Sequence, residues 1–228
     1  GCKVDTTPEN GAGRLASASP SELDATDTTL HAVSLGYGLK VRRAAGVFAI
    51  GNGLTSWTPN AVANALQSLD GKREGWFAPH RWRDNKRNSA SWLSASCVVC
   101  DLDWQHAGQH AALPGEIADA LTLAMRDGKL PGALGYLTPR GARIVALLDA
   151  PITESGAYVQ ACKGLAALTS KALQAVGLPV AENTGHGTGL FPDATHDLAR
   201  IFRAPNCTAA SESAPRRAAV RLWRDTPC

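Results

Sequence analysis

The sequence predicts a mixed α/β (α+β) chain: a small N-terminal α/β unit followed by an RRM-like, ferredoxin-like βαββαβ palm. Three observations carry this. From residue 96 onward, short apolar runs and two segments of helical period follow one another as strand, helix, strand, strand, helix, strand. The two middle runs are separated only by the turn signal Thr138-Pro139-Arg140-Gly141, so they pair as a hairpin. The first run, Ser96 to Asp103, ends in two aspartates one residue apart.

The elements follow in order. Residues 1–30 are rich in Gly, Ser, Thr, Pro and Asp and have no period, which predicts a flexible arm. Residues 31–95 form the N-terminal unit, with apolar stretches at Val33–Val41 and Val47–Ile50. Thr58 is placed to cap a helix with Pro59 at its first position. Val62, Ala65, Leu66 and Leu69 then share one face. Residues 96–228 form the palm and a C-terminal strand. Pro114-Gly115 opens a helix in which Ile117, Ala120, Leu121, Ala124 and Met125 align, and Asp127-Gly128 closes it. "GALGYLT" and "ARIVALLD" are the hairpin strands. Thr153–Val176 is the second helix, burying Tyr158, Cys162, Leu165, Leu168 or Thr169, Leu173 and Val176. After a glycine-rich loop, "LARIFRAP" reads as the fourth strand.

Composition bounds the function. The chain has 228 residues, 44% hydrophobic, enough for one large domain or two small ones. A net charge of +3 does not by itself declare a nucleic-acid binder, so any basic surface is local. No apolar run has the length of a membrane span and no signal-peptide pattern is present. Six cysteines are too sparse for a disulfide scaffold, so a reducing, cytoplasmic setting is expected. Cys97 and Cys100 make one C-x-x-C without a second pair, so no zinc is expected; both read as small apolar residues on a buried strand. His106 and His110 read as loop residues beside the aspartates.

In a strand, Asp101 and Asp103 point to the same face about 7 Å apart and repel by roughly 2 kcal/mol at an effective dielectric near 20. A hard divalent cation would relieve that cost; the bland alternative is two solvated side chains at a strand end. A two-metal phosphoryl-transfer site needs about three carboxylates, and Asp193 or Asp197 is the natural third. The same sheet without carboxylates would be an RNA-binding module, but "ARIVALLD" offers no stacking rings. Arg140 and Arg143 bracket Gly141, an arrangement suited to phosphate, and Thr138 leads into the same turn. Arg81, Arg83, Lys86 and Arg87 are interleaved with Trp76, Phe77 and Trp82. This is either a nucleic-acid surface or a solvated loop with its rings tucked into the core.

These segments resemble the catalytic domain of the archaeo-eukaryotic primase superfamily, of the plasmid and phage primase-polymerase kind. The match spans roughly Val33 to Asn206 by architecture and rests on two motifs. Asp101-Leu102-Asp103 resembles the family's strand-terminal D-x-D. "PDATHDLARIFRAPN" resembles its third motif, which makes Asp193 the third metal ligand and Asp197 the alternate. At the second motif, often S-x-H, this chain has Gly141-Ala142-Arg143, so Arg143 stands where the family's nucleotide-binding His does. The resemblance implies a DNA primase/polymerase: template-directed nucleotidyl transfer with two divalent ions, Mg²⁺ or Mn²⁺, on Asp101, Asp103 and Asp193. It implies nucleoside triphosphates (NTP or dNTP) held by Thr138, Arg140, Arg143, Arg200 and Arg203. It implies single-stranded DNA along Arg81, Arg83, Lys86 and Arg87, and a replicative helicase fused or in trans. The alternatives are a non-catalytic replication-initiation DNA-binding module, or a metal-dependent nuclease on the same fold.

Overall fold

The computed structural model describes residues 28, 30–37, 46–50, 53–54, 56–69, 74–181, 187–205 and 220–223. Apart from residues 28 and 30, the expected arm at 1–30 lies outside them, as do Asn206 and part of the glycine-rich loop. In chain order the elements are β1 (Ala32–Tyr37), β2 (Gly46–Ile50), β3 (Gly53–Leu54), α1 (Pro59–Gln67), β4 (Gly75–Ala78), β5 (His80–Trp82), β6 (Trp92–His106), β7 (Gln109–His110) and α2 (Gly115–Arg126). There follow β8 (Leu134–Thr138), β9 (Gly141–Ile152), α3 (Ser155–Ala175), β10 (Gly189–Ala194), β11 (Phe202–Arg203) and β12 (Arg221–Leu222).

Capping chemistry marks the start of α1 and the end of α2. The Thr58 hydroxyl accepts from the Ala61 amide at 3.3 Å, with Pro59 at the first helical position. Helix α2 stops at Asp127, and Gly128 follows at φ +65°, a conformation only glycine adopts without strain. In α3 the buried face is Tyr158, Cys162, Leu165, Ala166, Thr169 and Leu173. Thr169 takes the inward position and satisfies its hydroxyl on the Leu165 carbonyl at 2.7 Å, while Leu168 is 58% exposed.

The larger sheet runs β10-β6-β9-β8-β12, with β5 and β7 also paired to β6. Its βαββαβ part, β6-α2-β8-β9-α3-β10, therefore has the spatial strand order 4-1-3-2, every neighbour antiparallel. This is the ferredoxin-like palm. The first and third strands, β6 and β9, are central as the sequence predicts.

The fourth strand is not the expected one. It is "GLFPDA", read from sequence as loop; Pro192 and the glycines upstream mask it. Pro192 is tolerated because β10 is an edge strand of this sheet. "LARIFRAP" instead sends Phe202 and Arg203 to pair with β4 in the second sheet, ordered β11-β4-β1-β2-β3.

Strand β6 is 15 residues long and its two faces are distinct. Val98, Cys100, Leu102 and Trp104 pack under α2 and α3 with Leu121, Met125, Tyr158 and Leu165. Cys97 and Val99 face the other way, into a core shared with Val33, Leu35, Val62, Leu66, Phe77 and Phe202 of the N-terminal sheet and α1. The two C-x-x-C sulfurs thus lie in different cores. No helix of the described residues is long and apolar enough to cross a membrane.

Candidate active site

The alternation along β6 carries Cys97 and Val99 under the N-terminal unit and Asp101 and Asp103 onward along the same face. Register fills in the neighbours. In one row across the sheet stand Asp193 (β10), Asp101 (β6), Arg143 (β9) and Tyr136 (β8). In the next stand Phe191, Asp103, Gly141 and Thr138. Three carboxylates from two adjacent strands therefore occupy one face. Like charges directly opposite on neighbouring strands destabilise the pairing, so the arrangement demands positive charge.

Arginines supply it in this structure. Asp101 is 6% exposed. Its Oδ1 lies 3.3 Å from Arg143 Nε, an ion pair without hydrogen-bond alignment, and its Oδ2 lies 3.9 Å from Arg200 Nη2. Arg143 is held at its other end by an Nη1 hydrogen bond of 2.9 Å to the Arg203 carbonyl. The Tyr136 and Phe202 rings lie 5.9 and 5.6 Å from its guanidinium carbon. Tyr136 donates to the same Arg203 carbonyl at 2.8 Å. Asp103 is half-buried and sits 3.5 Å from His110 Nδ1. Burial, then the Asp101 charge, pushes the Asp103 carboxyl above its ordinary value, while His110, Arg143 and Arg140 pull it back.

Sequence-expected residues divide by place. Asp101, Asp103, Asp193, Arg143 and Thr138 share the face, Arg140 acts on Asp103 from the adjoining turn, and Arg200 reaches Asp101. Arg203 is spent elsewhere: its Nη2 bonds Glu74 at 2.8 Å, which ties β11 to the start of β4. Asp197 is exposed and caps its own turn, its Oδ1 accepting from the Ala199 amide at 2.9 Å; its charge acts on buried His80 and Tyr158. Asp193, not Asp197, stands opposite Asp101.

In the basic run the structure follows the second of the two sequence readings for the rings and differs from the sequence expectation at one cation. Trp76, Phe77 and Trp82 are at most 2% exposed, so these rings serve the core and present no stacking surface. Arg81 is itself 4% exposed, which removes it from any DNA-facing surface. Arg83 and Lys86 are exposed and Arg87 is half-buried. They precede Trp92 at the start of β6, nine residues and about 30 Å of strand from Asp101. Proximity in sequence is not proximity in space here, because a long strand intervenes. His110 lies in the β6–β7 hairpin beside Asp103, close to its expected place. Phe191 was missed: its alternation with Asp193 would have revealed it had β10 been read as a strand.

Among the described residues, no three Asp, Glu, His or Cys side chains are gathered into a ready-made metal cage. The donor chemistry nonetheless suits a hard divalent ion: carboxylate oxygens only, on one face, with like charges facing across the strands.

No family model and no curated protein sequence matches this chain. Two solved structures are similar to it. One is the polymerase domain of Mycobacterium tuberculosis Ligase D in complex with DNA, 16% identical over 89% of this chain and 79% of that one, with a TM-score of 0.44. The other is the AEP domain of the cyanophage S-2L primase-polymerase, 11% identical over 87% and 82%, with a TM-score of 0.37.

Proposed function

We propose that this chain is a nucleotidyltransferase, a DNA primase/polymerase that makes or extends primers on a single-stranded DNA template in plasmid or phage replication. The observation that carries this is the set Asp101, Asp103 and Asp193 on one face of a ferredoxin-like sheet, with Arg143 and Arg200 beside Asp101. Asp101, Asp103 and Asp193 would hold divalent Mg²⁺ or Mn²⁺. Bound there, the ions supply neutralisation of the triphosphate and activation of the attacking 3′-hydroxyl. Arg200 and Arg140 offer planar forks to the phosphates, and Thr138 a hydroxyl. Arg143 is a positioning residue: with its side chain 16% exposed and committed at both ends, it fixes Asp101. Arg83 and Lys86 are exposed cations for a DNA backbone.

The test is incorporation of labelled nucleotide on single-stranded template with Mg²⁺ or Mn²⁺. The wild-type protein is expected to extend. Asp101→Asn, Asp103→Asn and Asp193→Asn are each expected to lose about 10²-fold or more, the scale of removing an electrostatic partner of the reacting groups. Binding without synthesis or cleavage would make the chain a replication-initiation module. Shortening of the DNA without nucleotide would make it a nuclease. Near-wild-type synthesis by any of the three variants would remove that residue from the site.

A further inference from the structure

We infer that Phe191 is the platform on which the base of the incoming nucleoside triphosphate stacks, a role that rests on the nucleotidyl-transfer reading above. The strand decides where the ring goes. Leu190 is fully buried in the core beneath α3, so its neighbour Phe191 points to the opposite face, the one that carries Asp193 two residues on. There it stands directly opposite Asp103, one row from the Asp193–Asp101 pair. Among the Phe, Trp and Tyr side chains that the structure describes, every other belongs to one of the three apolar clusters or packs against one; Phe191 does neither. It is partly exposed. Among the described residues, this large apolar ring on a charged face joins no apolar cluster that would account for it.

The backbone that carries the ring is also held firmly. The Leu190 amide bonds the Pro179 carbonyl at 2.8 Å, and the Leu190 carbonyl accepts from Ala181 at 2.9 Å. Pro192 follows immediately and restricts the backbone on the other side. A ring on a fixed backbone loses less entropy on stacking than one on a mobile loop. Its place beside the carboxylates favours the nucleotide whose phosphates they would serve over a more distant template base. Stacking accepts any base, because every base has a π-face.

The experiment is equilibrium binding of a non-hydrolysable deoxynucleoside triphosphate, of inorganic tripolyphosphate and of a single-stranded oligonucleotide to wild type, Phe191→Ala, Phe191→Leu and Phe191→Trp. Nucleotide Kd should rise about tenfold in the alanine and leucine variants and stay within about twofold of wild type in Phe191→Trp, as stacking predicts. Tripolyphosphate, which has no base, should bind all four alike; a merely structural effect would weaken it too and would overturn the assignment. Unchanged nucleotide Kd in Phe191→Ala overturns it. So does loss of oligonucleotide affinity with nucleotide affinity intact, which would give the ring to the DNA strand. Base-dependent binding without incorporation would keep the platform and reject the polymerase. Incorporation with binding indifferent to Phe191 would do the reverse.

Discussion

Arg143 shows how one side chain can change meaning between sequence and structure. By motif it stands where a nucleotide ligand is expected. By geometry it is a strut from Asp101 to the Arg203 carbonyl, flanked by two rings. Among the described residues, removing it leaves Asp101, 6% exposed, with the longer 3.9 Å contact to Arg200 as its remaining ion pair. Arg143→Ala is therefore expected to cost about 3 kcal/mol in chemical denaturation, the scale of breaking a buried ion pair from one side. Arg143→Lys should recover only part of this, because an ammonium lacks the fork that reaches two acceptors. A variant with unchanged stability and a raised nucleotide KM would show that the arginine serves phosphate after all.

At the scale of elements, the site depends on how closely β6 and β9 approach. Gly141 begins β9 opposite Asp103, and a Cβ there would run into the Leu102 carbonyl on the facing strand. Backbone cannot swing aside as a side-chain tip can, so Gly141→Ala must pry the two central strands apart at the carboxylate row. A loss of about 1–3 kcal/mol is expected, the usual cost of overpacking, read from the urea midpoint; an unmoved midpoint would mean that the strands have slack. Strand β10 adds the complementary lesson. A proline and a run of glycines made it read as loop, yet an edge position tolerates the missing amide, and that strand delivers both Asp193 and Phe191 to the face.

The whole molecule is held by contacts that cross between the sheets. One core joins α1 and the N-terminal strands to β6, β8 and β9; β11 returns to the first sheet, and Trp57 Nε1 donates to the Leu148 carbonyl at 2.9 Å. His80 lies within this assembly, fully buried against Trp82, Trp92 and Tyr158, where it accepts from Trp92 Nε1 at 3.1 Å. Burial lowers its pKa from 6.5 to about 3, against the opposing pull of Asp197. The folded protein keeps this ring neutral while the unfolded chain takes up a proton below pH 6.5. Stability is thus undiminished above that pH and falls as the pH drops toward the folded value, by about 2 kcal/mol at pH 5. Denaturation at pH 7 and pH 5 measures it, with His80→Gln expected to flatten the difference. Tryptophan emission and far-ultraviolet dichroism should report the same transition, because one core spans both sheets. Equal stability of the wild type at both pH values would contradict the buried neutral ring.

The sequence by itself determined the order of elements from residue 96 to α3, the hairpin at Thr138–Gly141 and the caps of α1 and α2. It also determined that Asp101 and Asp103 share a face. All of these follow from local period, turn chemistry and the pleat, which reach only a few residues along the chain. Register across the sheet is a long-range property, and only the tertiary structure decided it. It chose Asp193 over Asp197 as the partner facing Asp101, turned Arg143 inward, and buried Arg81 and the tryptophans of the basic run. It sent "LARIFRAP" to the other sheet and placed Phe191 on the face that carries the carboxylates. Each of these depends on which strand lies beside which, and hydrophobic periodicity within one segment carries no record of its neighbour.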